Sequence, residues 1–218
     1  MSVTFWARYG KRFFDALVSG LLLILLSPLL IITAILVALT SPGPVFFLQD
    51  RAGIGGRAFR IYKFRTMRGD RKPDPNEIVP LQHSDITPIG WWLRRLKIDE
   101  LPQLFNVLVG DMSLVGPRPT LPDQAAAYDE FKRQRLMVRP GISGLAQIHG
   151  NASISWEQRI LFDVAYVKAC SFVLDFSILL RTVLVVVGGE SRRAIAFQDT
   201  PYARHVEIPE GYEPPAAS

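Results

Sequence analysis

Residues 16–40 read ALVSGLLLILLSPLLIITAILVALT, twenty-five positions without a charge. As one unbroken helix they would be ~37 Å long, enough to cross the hydrocarbon of a bilayer. A signal peptide has a shorter apolar region followed by a small-residue cleavage site, and Thr40-Ser41-Pro42-Gly43-Pro44 does not supply one. A core helix this uniformly apolar is out of place in a small domain. A crossing helix should carry unequal Lys/Arg at its two flanks. Here Arg8, Lys11 and Arg12 precede the run and Arg51, Arg57 and Arg60 follow it, so both ends read as cytoplasmic. Pro28, near the middle, removes a backbone hydrogen bond and clashes with the preceding turn, which predicts a kink. Ser27 can bond back to a carbonyl one turn earlier and ease the bend. Two readings stay open: an ordinary spanning helix with a proline, which membranes tolerate, or a re-entrant helix that turns back at Ser27-Pro28.

A second apolar stretch, Phe172 to Val187, is interrupted by Asp175 and Arg181. That pattern fits a buried or interfacial amphipathic helix better than a span. Trp6, Trp91 and Trp92 suit either headgroup level or a plain core. The 218 residues are 49% apolar and 21% charged, which excludes a disordered chain. A single cysteine, Cys170, excludes an internal disulfide framework and a multi-cysteine zinc site. His83, His149 and His205 are too scattered for a histidine metal site. The net charge of +5 is local: Asp50 to Lys97 carries +6 and the remainder −1. Such a concentration points to phosphates of some kind.

Past Thr40, Val45 to Leu48 and Phe59 to Phe64 flank the turn Ala52-Gly53-Ile54-Gly55-Gly56 and predict a β-hairpin. The glycines lack GxGxxG spacing and a following helix, so they read as a turn rather than a nucleotide loop. Gly69 to Pro88 is polar and proline-rich, a loop. Gly90 to Ile98 predicts a short basic amphipathic helix. Leu101, Leu104, Phe105 and Leu108 fall at helical spacing. Because Pro102 is tolerated only in a first turn, that helix should start near Asp99 and end at Gly110. Helices are expected over Tyr128–Val138, with Lys132, Arg133 and Arg135 on a basic face, and over Ser155–Lys168. The tail from Pro201 reads as loose. The organisation is therefore a membrane segment (1–40), a catalytic or binding domain (41–200) and a tail (201–218), with no internal repeat.

Asp99-Glu100 is the central pair. Two acids at a helix start can simply cap it. The same position keeps a carboxylate ionised, fit to attack phosphorus or to hold Mg²⁺. Four basic clusters accompany the pair in sequence: Lys63 with Arg65, Arg94 with Arg95, Arg118 in Gly-Pro-Arg-Pro, and Arg139 in Val-Arg-Pro-Gly. An arginine held between prolines is a rigid fork for phosphate oxygens.

Residues 97–119, KIDELPQLFNVLVGDMSLVGPRP, resemble the signature of the bacterial monotopic phosphoglycosyl transferases. Residues 62–67 (YKFRTM), 139–147 (RPGISGLAQ), 11–15 (KRFFD) and Ser27-Pro28 match further blocks, and 153–157 (SISWE) with 171–175 (SFVLD) resemble the small PglC-type branch. The likeness covers roughly residues 8–187. It implies an α+β protein: a re-entrant N-terminal membrane helix hinged at Ser27 and Pro28, and a small, mainly helical domain with a short β-hairpin and interfacial amphipathic helices. It implies transfer of a sugar 1-phosphate from a UDP-sugar to polyprenyl phosphate with release of UMP, at the cytoplasmic face of the bacterial inner membrane, in contact with membrane lipid. By that match Asp99 is the nucleophile and Glu100 the Mg²⁺ ligand. Arg118 binds phosphate. Lys63, Arg65, Arg94 and Arg139, with Gly141 and Ser143 of the third block, complete the phosphate and substrate contacts. A homodimer and the identity of the sugar stay open, with a weak lean towards N-acetylated sugars. Ser143 stands where the family has threonine, keeping the hydroxyl. Asn151 replaces an arginine, which puts any substrate contact there in doubt. His149 reads as structural. A non-catalytic tether for anionic lipid is the alternative, although two acids in a basic segment serve no tether. Nucleic acid is not an expected partner, since no nucleic-acid fold is recognisable.

Overall fold

The apolar run is two helices. In the computed structural model α1 spans Lys11–Leu25 and α2 Ser27–Thr40, bent 62° to one another at Leu26. The structure describes residue 6, residues 10–68, 81–150, 153–188 and 195–209, and residue 212. The cause of the bend is local. Pro28 sits in the first turn of α2, where a missing N–H costs nothing. The Ser27 hydroxyl donates to the Ile24 carbonyl at 2.8 Å. Among the described residues no single helix is long and apolar enough to cross a membrane; the bent pair together is.

The first turn of α1 is fastened to the rest of the chain. The Arg12 guanidinium donates to the Val107 and Leu108 carbonyls at 2.7 and 2.6 Å. These are carbonyls of the last turn of α4 (Gln103–Val109), where helical donors run out: Val107 is met by the Gly110 amide at 3.2 Å, and Arg12 adds a second donor there and one at Leu108. Asp15 accepts from the Leu114 amide at 3.1 Å. Lys11 pairs with Asp175 at 2.7 Å, both side chains buried, and Trp6 and Tyr166 also donate to that carboxylate. The opposite faces stay bare: Phe13 is 73%, Ile24 75% and Leu39 79% exposed.

After α2 comes the expected hairpin. β1 (Phe46–Ala52) pairs antiparallel with β2 (Ala58–Phe64), from Phe46 opposite Phe64 to Ala52 opposite Ala58. α3 (Pro88–Arg95) follows, capped by the Thr87 hydroxyl, which accepts from the Gly90 amide at 3.0 Å. Of the loop expected over Gly69–Pro88, residues 69–80 lie outside the described residues.

Three elements differ from the sequence reading. The helix expected from Asp99 begins at Gln103. Lys97 takes a left-handed conformation (φ 57°), and Ile98–Glu100 winds as a tight 3₁₀ turn. Gly110 ends α4 as expected, at φ 101°. The helix expected over Tyr128–Val138 is α6 (Glu130–Arg133) plus a 3₁₀ turn, Gln134–Met137, and Arg135 is drawn inside at 3% exposure instead of lying on a basic face. A short parallel ladder was not anticipated: β3 (Ser113–Val115) beside β4 (Gly141–Ser143). Three-residue strands show no period. The ladder needs glycine at 141, where a Cβ would lie 2.1 Å from the Gly116 nitrogen.

Between these elements lies α5 (Pro122–Ala126). α7 (Leu145–Ile148), α8 (Trp156–Ala169) and α9 (Phe172–Gly188) complete the order. α8 is the central helix, with Ile160 through Phe162 and Val164 through Tyr166 all fully buried. Residues beyond Pro201, read from sequence as loose, include Tyr202, Ala203, Val206 and Tyr212, which pack on this core. Helices and two small sheets make this a mixed α and β fold.

Candidate active site

Asn106, fully buried on α4, aligns the hairpin with the acid pair. Its amide donates to the Arg60 carbonyl at 2.8 Å and its oxygen accepts from the Tyr62 amide at 3.1 Å. That fixes the next residue, Lys63, against the turn that carries Asp99 and Glu100. Lys63 donates to Glu100 Oε1 at 2.8 Å, and Arg118 donates to the same oxygen at 2.9 Å. Burial alone would raise the Glu100 carboxyl; Arg118 and then Lys63 outweigh it and hold the group well below the ordinary carboxylate range. Lys63 is pushed down by burial, against the pull of Glu100.

Asp99 is the opposite case. Burial, then the neighbouring Glu100 charge, raise its carboxyl to about 6, against Lys63, Lys97 and Arg94. Its Oδ1 is buried and accepts no hydrogen bond. Two adjacent acids are thus separated by environment: Glu100 is ionised and satisfied, whereas Asp99 is weakly solvated and has one oxygen without a donor. Arg94 lies within electrostatic reach of Asp99 and is oriented by a 2.8 Å bond from Nε to the Thr66 hydroxyl.

Arg51 belongs to this group, a residue read in the sequence only as a flank of the apolar run. Burial and the adjacent Arg118 charge lower its guanidinium to about 10, against Glu100. Its Nε is buried without an acceptor. Strand register was the missed signal. Lys63 opposes Phe47, and Arg51 lies four residues further along the same strand, so alternation puts Arg51 and Lys63 on one face of the hairpin. Lys63, Arg118, Arg51, Arg94 and Lys97 against Asp99 and Glu100 leave five cations around two acids. That surplus matches a diphosphate, which brings two or more negative charges.

The remaining sequence candidates are placed elsewhere. Arg65 is buried with its fork on the Ser41 and Pro42 carbonyls, closing the end of α2, so it has no face for phosphate. Its approach requires glycine at 43, where φ is +113° and a Cβ would lie 2.3 Å from Arg65 Nη1. Arg139 Nε donates to the Gly110 carbonyl at 2.9 Å, at the opposite end of α4 from the acid pair. Gly141 serves the β3–β4 contact. Ser143 bonds the Thr182 hydroxyl on α9. Gly141 and Ser143 of the third block thus make packing contacts. His149 stacks on Phe162 at 4.8 Å and bonds the Leu145 carbonyl, a core histidine. Asn151 lies outside the described residues.

Among the described residues no three acid, histidine or cysteine side chains converge as a cage for a metal ion. Mg²⁺ does not require one: it is commonly held by one or two carboxylates plus substrate phosphates and water. The partnerless Asp99 Oδ1 beside an ionised Glu100 fits that donor set. Glu100, expected to be the ligand, has Oε1 already engaged by Lys63 and Arg118.

A family model described as bacterial sugar transferase matches residues 6–189. The chain is 46% identical over 180 residues to EpsL of Bacillus subtilis, named an uncharacterized sugar transferase, covering 83% of this chain and 88% of that one. It is 44% identical over 192 residues to the UDP-N-acetylgalactosamine-undecaprenyl-phosphate N-acetylgalactosaminephosphotransferase of Aeromonas hydrophila, covering 84% of this chain and 45% of that one. It is 42% identical over 187 residues to the UDP-glucose:undecaprenyl-phosphate glucose-1-phosphate transferase of Caulobacter vibrioides, covering 79% of this chain and 68% of that one. The chain thus spans most of the Bacillus relative but under half the length of the Aeromonas one.

Proposed function

The chain belongs to the bacterial sugar transferase family, and from that premise we propose that it moves a sugar 1-phosphate from a UDP-sugar to undecaprenyl phosphate through a covalent phosphosugar on Asp99. The observation that carries this reading is the contrast between Asp99, buried with a partnerless oxygen, and Glu100, satisfied by two cations.

The Asp99 carboxylate attacks the β-phosphorus of the donor. An O–P bond forms as the bond from that phosphorus to the bridging oxygen breaks, and UMP leaves with that oxygen. A phosphate oxygen of the lipid then attacks the same phosphorus, the bond to Asp99 breaks, and the carboxylate is regenerated. The product, a sugar on undecaprenyl diphosphate, is the starting point for glycoconjugate, lipopolysaccharide or exopolysaccharide assembly. At neutral pH a carboxyl of pKa about 6 is mostly ionised yet poorly solvated, which suits a nucleophile. Lys63, Arg118, Arg51 and Arg94 lower the repulsion between this anion and the diphosphate. Glu100 keeps Lys63 and Arg118 in place and, with Asp99 and the diphosphate oxygens, would hold Mg²⁺, which supplies further charge neutralisation there.

The two half-reactions are separable. With Mg²⁺ and no lipid acceptor, the protein should release one UMP per active site from its donor and should exchange labelled UMP into UDP-sugar. UDP-glucose and UDP-N-acetylgalactosamine head the donor panel, because relatives are named for glucose and N-acetylgalactosamine. The burst should weaken as pH falls through about 6, since protonation removes the attacking lone pair. A strict requirement for lipid acceptor before any UMP appears would refute the covalent step.

The bent pair α1–α2 forms a hairpin that enters one leaflet and returns, with the domain that follows on the cytoplasmic face. The 62° bend and the bare apolar faces of α1 and α2 support this. Cys170 is buried, so introduced cysteines can be labelled selectively. Ser2→Cys and Ser218→Cys should both resist an impermeant maleimide in intact spheroplasts and react after lysis. Adding Ser27→Ala with Pro28→Leu should straighten the pair and expose Ser2→Cys to the outside. Opposite labelling of the two termini with Ser27 and Pro28 intact would exclude the hairpin.

A further inference from the structure

Building on that reading, we propose that Arg135 is a positioning residue for Arg118, fixing the loop from which Arg118 reaches Glu100 and the donor diphosphate. The loop from Gly116 to Thr120 is held by its backbone groups. Gly116 N–H donates to the Ser143 carbonyl at 2.8 Å. The Pro117 carbonyl accepts from Gly141 N–H at 2.9 Å, and the Thr120 carbonyl from Ala52 N–H at 2.8 Å. The Arg118 carbonyl, between them, takes its bond from a side chain: Arg135 Nη2, at 2.9 Å. It is the one of these four ties that a substitution can remove without touching the backbone.

Arg135 is itself immobilised. It is 3% exposed, its Nη1 donates to the Tyr128 hydroxyl at 2.6 Å, and its guanidinium carbon lies 5.2 Å from the Trp156 ring centre and 5.7 Å from that of Tyr128. Asp163, 1% exposed, balances its charge. A buried ion pair of this kind can often be replaced by apolar packing without loss of stability. Apolar packing cannot donate to the Arg118 carbonyl. The planar fork reaches Tyr128 and Arg118 together, which a lysine ammonium on a flexible stem does not reproduce.

The test is a double-mutant cycle on UMP release by the full chain in detergent, with UDP-glucose and UDP-N-acetylgalactosamine as donors and undecaprenyl phosphate as acceptor. Arg135→Lys keeps the charge opposite Asp163 and should lower kcat/KM about 10-fold, a loss consistent with misplacing a binding group by under 1 Å. Arg118→Ala should lower it about 10²-fold. The double variant should match Arg118→Ala within about 2-fold, because Arg135 acts through Arg118. A merely structural role would move the thermal midpoint equally in both backgrounds and leave the two activity losses independent. Should Arg135→Lys fail to fold, Arg135→Gln combined with Asp163→Asn removes both charges together and enters the same cycle. Losses that multiply, or full activity in Arg135→Lys, overturn the assignment. No UMP release by the unmodified protein from any member of a UDP-sugar panel spanning hexoses, N-acetylhexosamines and deoxy sugars sinks the parent reading and this one with it, whereas release with multiplying losses sinks this one alone.

Discussion

Asp99→Asn should make the protein inactive and more stable. UMP release should fall by about 10⁴-fold or more, as expected when a covalent nucleophile is removed, and no phosphosugar-modified protein should be detectable by intact mass. The folded chain should nevertheless gain of the order of 1–3 kcal/mol at pH 8. The Asp99 carboxyl titrates near 6 rather than 3.8, so the fold favours its neutral form. The cost of ionising it builds up as pH rises from about 4 to 6 and is constant above. Asparagine, neutral throughout, escapes that cost. The gain should therefore be full above pH 6 and vanish below about pH 4. Melting curves of both proteins between pH 4 and 8 provide the measurement. A midpoint that drops on substitution at pH 8 would mean that Asp99 is stabilised by its cations and is not held in a strained, reactive state. Stability given up at a reacting group is a familiar compromise.

Glu100→Gln should act in the other direction on stability. It leaves Lys63, with a side chain 18% exposed, and Arg118 facing each other without their shared carboxylate. Removing one member of a fully buried pair costs about 3–5 kcal/mol. Because the Arg118 side chain is 40% exposed, water screens part of this, and about 2–3 kcal/mol is expected. For a chain of this size that lowers the thermal midpoint by roughly 5–10 °C. The depressed carboxyl of Glu100 contributes stability above the usual carboxylate range, 4.5, and loses it as pH falls through the folded value below that. The gap between the two proteins should thus be widest near neutrality and close in acid. Activity should also fall, since Lys63 and Arg118 lose the group that holds them beside Asp99. Unchanged melting at pH 7 would show that the two cations find other partners.

Much of this arrangement was legible in the sequence, and the exceptions have physical causes. The hairpin followed from two strand-like runs flanking a glycine-rich turn. Lys63, Asp99, Glu100, Arg94 and Arg118 are brought together as their motifs suggested. Arg65 is not, because β2 ends at Phe64. Beyond a strand end, alternation no longer directs side chains, and the open carbonyls after α2 capture the guanidinium. Arg139 and Ser143 lie in a block whose glycine answers to close backbone packing and not to a ligand. Arg51 was read for its place beside an apolar run, whereas its partner across the hairpin decides its role. Arg135 could not be identified as buried from helical periodicity, since the helix that would display it breaks into a 3₁₀ turn. The sharp bend at Ser27-Pro28, by contrast, needed only the geometry of one proline and one hydroxyl.

The grip of Arg12 on the last carbonyls of α4 ties α1 to the helix behind the acid pair. Whatever surface accepts the bare side of α1 thereby sets the altitude of Asp99 above it, as a draughtsman's square sets a line from an edge. Under the proposed function, a long, pliant lipid would rise or sink to bring its phosphate to that level, while the carboxylate stays tied to α1. On the proposed membrane arrangement, the thickness and composition of the surrounding bilayer would become part of the geometry around Asp99.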